Sequence, residues 1–267
     1  MACGSGFQTW LHRAGGASAV GIDIAGNLLR NAQKKEVCHS GKTGLELFPP
    51  RHDFVEKYNR MIAKSLNING NKPSKVAAPH FFRADITGAP FKTGSFDHVN
   101  CVGALSYLDD SAAAISEIFR LLKIGGTAFF EVECRWNFQV FWRLVNYVLK
   151  GRLGEKTTAA EIRRFVFSNP FRDVSASFPF CMFGEIRAIS GRYFTFHSLS
   201  KSLENPGFRI LGKWPVLSVT NLVPWTCLDR PEPSKRLKML FGVLAAMEEK
   251  LPFFFPGIGL AILAEKR

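Results

Sequence analysis

The first half of the chain alternates short apolar runs with segments of helical period, and no other feature of the sequence restricts the fold so strongly. Chain that returns through a helix after each strand lays its strands side by side and parallel, so the pattern predicts an α/β architecture, a doubly wound, mostly parallel sheet. Ala19–Asp23 (A-V-G-I-D) reads as a buried strand and Ile24–Gln33 as the helix after it. Phe81–Ala84 reads as a second strand that ends at Asp85, and His98–Val102 as a third after the turn T-G-S-F-D. The helix Ala112–Leu122 then leads through Lys123-Ile124-Gly125-Gly126 into a fourth strand, Thr127–Val132. Each strand ends at polar or small residues, where open α/β sheets place their ligands.

The rest of the chain departs from this rhythm. Residues 34–80 are too long for an ordinary connection and read as an insertion around one helical stretch, Asp53–Leu66. Residues 135–197 are aromatic and basic, with a helical run at Phe138–Leu149 followed by Phe-rich loops, and are expected to cap the binding edge of the sheet. Residues 198–267 begin with a helix, Ser198–Leu203, stopped at Asn205-Pro206-Gly207. Two strands follow, Arg209–Leu211 with its continuation and Gly259–Ala264, expected as a reversed pair that closes a single domain of 1–267.

With 267 residues, 46% of them hydrophobic, the chain can bury a full core. Its six cysteines show neither a C-x-x-C pair nor the Cys/His spacing of a zinc site, so they read as reduced thiols of a cytoplasmic protein that holds no metal. The opening residues do not read as a secretory leader, so secretion is not expected. The apolar run Leu251–Leu263 is broken by Pro252, Pro256, Gly257 and Gly259, and falls short of the roughly 20 residues that span a bilayer. The formal charge of +13 is concentrated in residues 135–267, with 20 basic and 10 acidic residues against 15 and 12 before them. Such a surface suits nucleic acid, anionic lipid or an acidic substrate, or serves solubility alone.

The opening A-C-G-S-G-F offers backbone N–H groups at close range, because Gly4 and Gly6 carry no Cβ. About 20 residues on, Asp23 closes an apolar strand, where a carboxylate accepts hydrogen bonds from both hydroxyls of a ribose. Together they point to a nucleoside cofactor. A nicotinamide dinucleotide would want glycine or alanine where Thr9 stands, which disfavours an oxidoreductase.

In order and content these elements resemble the class I S-adenosylmethionine-dependent methyltransferase family, in its small-molecule, methyltransferase type 11-like branch, over roughly Met1–Val132. A-C-G-S-G resembles the family's glycine loop, with Ala2 in place of its first glycine, and implies that Gly4, Ser5 and Gly6 surround the methionine part of the cofactor. G-I-D-I-A-G-N-L-L resembles the ribose motif, with Asp23 on the hydroxyls and Ile24 and Leu28 near the adenine. R-A-D-I-T-G-A-P-F implies that Asp85 accepts from the adenine amino group with Ile86 packed beside it. F-D-H-V-N-C-V-G-A-L-S-Y-L places Gly103, Ala104 and Leu105 along the methionine side, and L-L-K-I-G-G-T-A-F-F-E-V resembles the entry to the next strand. The family also places a strand ahead of the glycine loop, in the middle of the sheet, whereas Met1 already lies in that loop. The expectation is a Rossmann-like sheet without its first strand and a start of the gene further upstream.

The resemblance implies methyl transfer to a small, partly apolar acceptor. A relic that kept the fold and lost the cofactor is the alternative from another class, and a nicotinamide-dependent oxidoreductase a third. Should the acceptor be a hydroxyl, Glu131, Glu133, Tyr193 and His197 are the candidate bases. Asp97 reads as a turn residue. Phe178, Phe180, Phe183, Tyr193, Phe194 and Phe196 could line an apolar acceptor pocket or form the core of the cap. No basic run is interleaved with aromatics as in a single-strand channel, and Ser168-Asn169-Pro170-Phe171 lacks the second proline of the amino-methyltransferase motif, so nucleic acid is not the expected partner. Trp136, Phe141 and Trp142 with Arg143, Lys150 and Arg152 combine apolar and cationic groups in the manner of a peripheral membrane contact.

Overall fold

The computed structural model describes residues 1–14, 16–38, 78–138, 140–142, 145, 159–182, 185–216, 218, 235–250 and 257–267. The expected helix Asp53–Leu66 and much of Phe138–Leu149 lie outside them; residues 138, 140–142 and 145 are helical. Two compact units make up the chain, Met1–Pro90 and Phe91–Arg267.

In the first unit the glycine loop runs into helix α1 (Phe7–Ala14), followed by strand β1 (Val20–Asp23), helix α2 (Gly26–Cys38) and strand β2 (His80–Arg83). β1 and β2 pair in parallel from Val20↔His80 to Asp23↔Arg83, the arrangement expected of a strand, a helical return and a second strand. Trp10, Leu29, Ala32 and Phe81 form the core. The Trp10 indole donates to the Ala32 carbonyl at 3.2 Å, so the one polar atom of that ring is satisfied where it is buried.

In the second unit β3 (Phe96–Val102), a 3-10 turn (Leu105–Tyr107), α3 (Ser111–Leu121) and β4 (Leu122–Glu133) follow one another. Asp110 caps α3 by accepting from the Ala113 N–H at 2.9 Å, and the helix buries Ala114, Ile115, Ile118 and Leu121. α4 (Ala159–Phe167), a hairpin of β5 (Val174–Met182) and β6 (Glu185–Tyr193), α5 (Phe196–Glu204), β7 (Phe208–Val216), α6 (Lys235–Lys250) and β8 (Gly259–Lys266) complete it. The sheet order is β3-β4-β8-β7. β3 and β4 are parallel, and β8 runs against both β4 and β7, so the last two strands form the expected reversed pair. Phe208 packs edge-on against Phe119 and Phe130 at 5.0 and 5.7 Å. Lys266 buries its ammonium on the carbonyls of Phe119 and Leu122, at 2.8 and 2.9 Å, and so satisfies the C-terminus of α3.

Several expectations are corrected. The stretch read as Phe-rich loops is a helix and a hairpin, because Val174 and Ala176 alternate inward with Ser175 and Ser177, the period of a strand. Asp97 lies inside β3 rather than in a turn, and its carboxylate accepts from Lys123 Nζ at 2.7 Å. α6 carried no signal in the sequence reading. Among the described residues β1 pairs only with β2 and β3 only with β4.

Candidate functional site

Asp23 organises the glycine loop. Its Oδ2 accepts from the Gly4 N–H and its Oδ1 from the Ala25 N–H, both at 2.8 Å, and the residue is buried. The loop is pinned to β1 a second time by the Cys3 N–H on the Ile22 carbonyl at 2.8 Å. A carboxylate has about four acceptor positions, so two such bonds leave Asp23 able to accept from a pair of hydroxyls. Gly4 has φ of +53° and open space where a Cβ would stand, so the backbone is accessible there. Gly6 is the opposite case: at φ of +79° an added Cβ would lie 2.7 Å from Ala32 Cβ and 2.9 Å from the Phe81 ring. Gly6 therefore serves close packing of loop on core, and Gly4 serves access. Ala2 holds φ of +50°, the left-handed conformation that glycine adopts without strain.

Around this loop Ser5 is half-buried, while Ile24 is 64% and Leu28 36% exposed, apolar side chains open to a flat ring. Asp85 is exposed and accepts from the Thr87 N–H and hydroxyl, both at 2.8 Å, which holds its carboxyl below the usual range. It is thus part of a local turn, and Ile86 beside it is buried. The first unit brings Gly4, Ser5, Gly6 and Asp23 together, with Ile24 next along the chain. These residues fit a nucleoside carrying a methionine: a ribose acceptor, an open glycine backbone and exposed apolar side chains.

In the second unit Gly103 takes φ of +68° and donates its N–H to the Glu131 carbonyl at 2.9 Å, Ala104 precedes the 3-10 turn, and Leu105 is fully buried. Glu131 and Glu133 share one face of β4, as alternation predicts. Burial pushes the Glu131 carboxyl up to about 7. Glu133 is differently placed: Oε1 accepts from the Tyr107 hydroxyl at 2.7 Å, and its N–H donates to Ser106 Oγ at 3.0 Å. Tyr193 is only 3% exposed and stacks edge-on against Phe165 at 5.3 Å, in a core with Val140, Val174 and Ala176. Phe194 is buried as well. Phe196 is half-buried, and the side chains of Phe178, Phe180 and Phe183 lie outside the described residues. His197 sits in the first turn of α5, exposed, its ring 6.2 Å from that of Phe171.

A cleft of about 310 Å3 opens between the 3-10 turn and the β5–β6 hairpin, lined by Tyr107, Asp109, Arg164, Ser175, Ser177 and Arg192 among others. Tyr107 is the residue the sequence reading missed. It stands in the quoted G-A-L-S-Y-L segment, yet only its pairing with Glu133 across the turn marks it. Among the described residues no group of acidic, His and Cys side chains could hold a metal ion, and no helix is long and apolar enough to cross a membrane.

Residues 53–130 match the model of a family described as a methyltransferase domain. Over 130 residues the chain is 28% identical to a ubiquinone biosynthesis O-methyltransferase of Methylococcus capsulatus, spanning 49% of this chain and 40% of that protein's length. A solved S-adenosylmethionine-dependent methyltransferase of Methanosarcina mazei aligns with 99% of this chain and 89% of its own, with a TM-score of 0.55 at 18% identity. A Listeria monocytogenes structure described as a candidate enzyme of the same kind aligns with 100% and 88%, with a TM-score of 0.52 at 16% identity. The two structures show the fold. Residues 53–130 thus resemble a methyltransferase domain, in a chain that carries the fold of S-adenosylmethionine-dependent methyltransferases.

Proposed function

We propose that the protein transfers the methyl group of S-adenosylmethionine to a hydroxyl of a small acceptor. The observation that carries this reading is Asp23, which spends one lone pair of Oδ2 on the Gly4 N–H of the glycine loop and one of Oδ1 on the Ala25 N–H, and keeps the others for a ribose. Gly4, Ser5 and Gly6 take the methionine part, Ile24 and Leu28 the adenine faces, and Asp85 and Ile86 the adenine edge. The bound cofactor supplies a methyl group on a positively charged sulfur, already activated for attack. What the chain must add is position, because aligning the acceptor oxygen with that methyl supplies most of the rate enhancement.

The relative from Methylococcus capsulatus is an O-methyltransferase, which favours oxygen as the acceptor atom here. Glu133 and Tyr107 suit that chemistry. The carboxylate takes the acceptor's proton, and the Tyr107 hydroxyl at 2.7 Å orients the carboxylate that receives it. The polar cleft beside Tyr107 favours an acceptor that carries further polar groups on a partly apolar body.

Calorimetric titration with S-adenosylmethionine, with NAD as control, tests the cofactor half. Binding of the methyl donor should weaken by about 10- to 100-fold in Asp23→Ala, as expected for losing charge-assisted hydrogen bonds to two hydroxyls. A folded chain that binds neither ligand would be a relic of the family, and one that binds NAD alone an oxidoreductase.

A further inference from the structure

Buried Arg135 spends its guanidinium on a single loop. Nη1 donates to the carbonyls of Asn169 and Arg172 at 2.6 and 2.9 Å. Nη2 donates to those of Phe165 and Ser168 at 2.5 and 3.1 Å and to Ser168 Oγ at 2.9 Å. The Trp136 indole adds a bond to the Pro170 carbonyl at 3.2 Å. A loop held this firmly should keep its apolar side chains inside, yet Phe167 is 80% and Phe171 66% exposed, with Val166 and Trp136 about half as much. Directly beside them a cleft of about 380 Å3 is lined by Arg164, Arg172, Ser168, Asn169 and Ser175, with Arg163 exposed on the same helix. The acidic group in that lining, Asp173, is engaged by Arg192 at 3.4 Å.

We propose that this loop docks the protein on an anionic phospholipid bilayer, with Phe167 and Phe171 entering the acyl boundary and the Arg164–Arg172 cleft receiving a lipid phosphate. Rigidly displayed phenyl rings beside guanidinium groups and hydroxyls match the two layers of a membrane interface, apolar below and anionic above. Guanidinium groups suit phosphate oxygens in particular, by paired hydrogen bonds. A nucleic acid fits less well, since stacking needs successive open rings and the neighbouring Phe165 is buried.

Vesicle flotation of the full chain tests the assignment and needs neither cofactor nor acceptor, so its result stands apart from the methyl-transfer reading. The protein should float with vesicles of phosphatidylcholine mixed with phosphatidylglycerol, far less with phosphatidylcholine alone, and less as salt is raised. The exposed-site double variant Phe167→Ser/Phe171→Ser should bind about tenfold more weakly or worse, with an unchanged circular dichroism melt. Arg172→Glu should weaken binding more than Lys213→Glu, an equal change of charge on β7; this pair decides the matter if the phenyl variant does not fold. Wild-type protein left in the supernatant, phenyl variants that float normally, or Lys213→Glu as harmful as Arg172→Glu would each overturn the proposal. So would binding of inorganic phosphate, or of a single-stranded oligonucleotide, by a chain that ignores vesicles.

Discussion

Glu131 and Glu133 stand two residues apart on one strand face and meet different surroundings, which decides what each can do. Glu133 has a phenolic donor on its carboxylate, whereas Glu131 is desolvated, and its pKa is raised to about 7. An unfolded glutamate ionises near pH 4, so between that pH and about 7 the unfolded chain has released a proton that the folded chain retains. Stability from this group is therefore fully present below the unfolded pKa, falls as pH rises toward 7, and is constant above it. The loss is on the order of 1–3 kcal/mol. Glu131→Gln should flatten that decline, raising the urea midpoint at pH 8 relative to wild type while leaving pH 4.5 little changed. Equal pH profiles for the two proteins would place Glu131 in contact with water.

At the level of elements, the glycine loop and the Arg135 loop are each built by one side chain that satisfies backbone groups, and each yields a prediction. Gly6→Ala forces a Cβ at positive φ into Ala32 and Phe81, so it should destabilise the fold by about 2–4 kcal/mol. Gly4→Ala meets open space and should cost about 1 kcal/mol for its backbone alone, yet weaken cofactor binding far more than Gly6→Ala does in protein that remains folded. Denaturation curves and calorimetry on the two variants separate packing from access. Arg135→Met removes the partner of four loop carbonyls and should cost on the order of 3–5 kcal/mol, with hydrogen exchange accelerated across residues 163–173. What the sequence disclosed follows the same division. Asp23 was legible as an organising residue because an acid closing an apolar strand stands out, and its carboxylate accepts from the Gly4 and Ala25 N–H groups. Tyr107 and Arg135 were not, because their roles depend on residues 26 to 37 positions away, and no local period encodes such pairings. Phe-rich segments misled the reading for the opposite reason: hydrophobicity alone does not separate a loop from a strand, and the alternation of Val174 and Ala176 with serines was the informative signal.

For the whole molecule, the division into two compact units bears on what ligand binding does to stability. The glycine loop, Asp23 and the β1–β2 pair all lie in the first unit, whose described core includes Trp10, Leu29, Ala32 and Phe81 with Cys3 and Ala78 packed against it. Asp23 and the Cys3 tether hold the loop on that unit. A ligand that packs on the open backbone at Gly4 and donates to Asp23 adds contacts that the unfolded chain cannot make, and by mass action it should stabilise the folded form. At about 100 times its dissociation constant the gain is about 2.7 kcal/mol. For a chain of this size that corresponds to a rise of about 5–10 °C in the melting temperature. S-adenosylmethionine and its demethylated product should both give the shift, since the ribose and the methionine backbone are common to the two, whereas NAD should give none. Asp23→Ala should abolish the shift at the same ligand concentration while melting near the wild-type temperature without ligand. If instead the unliganded variant melts far below wild type, Asp23 acts first as the fastener of the loop, and the lost affinity follows from a disordered loop rather than from missing ribose bonds.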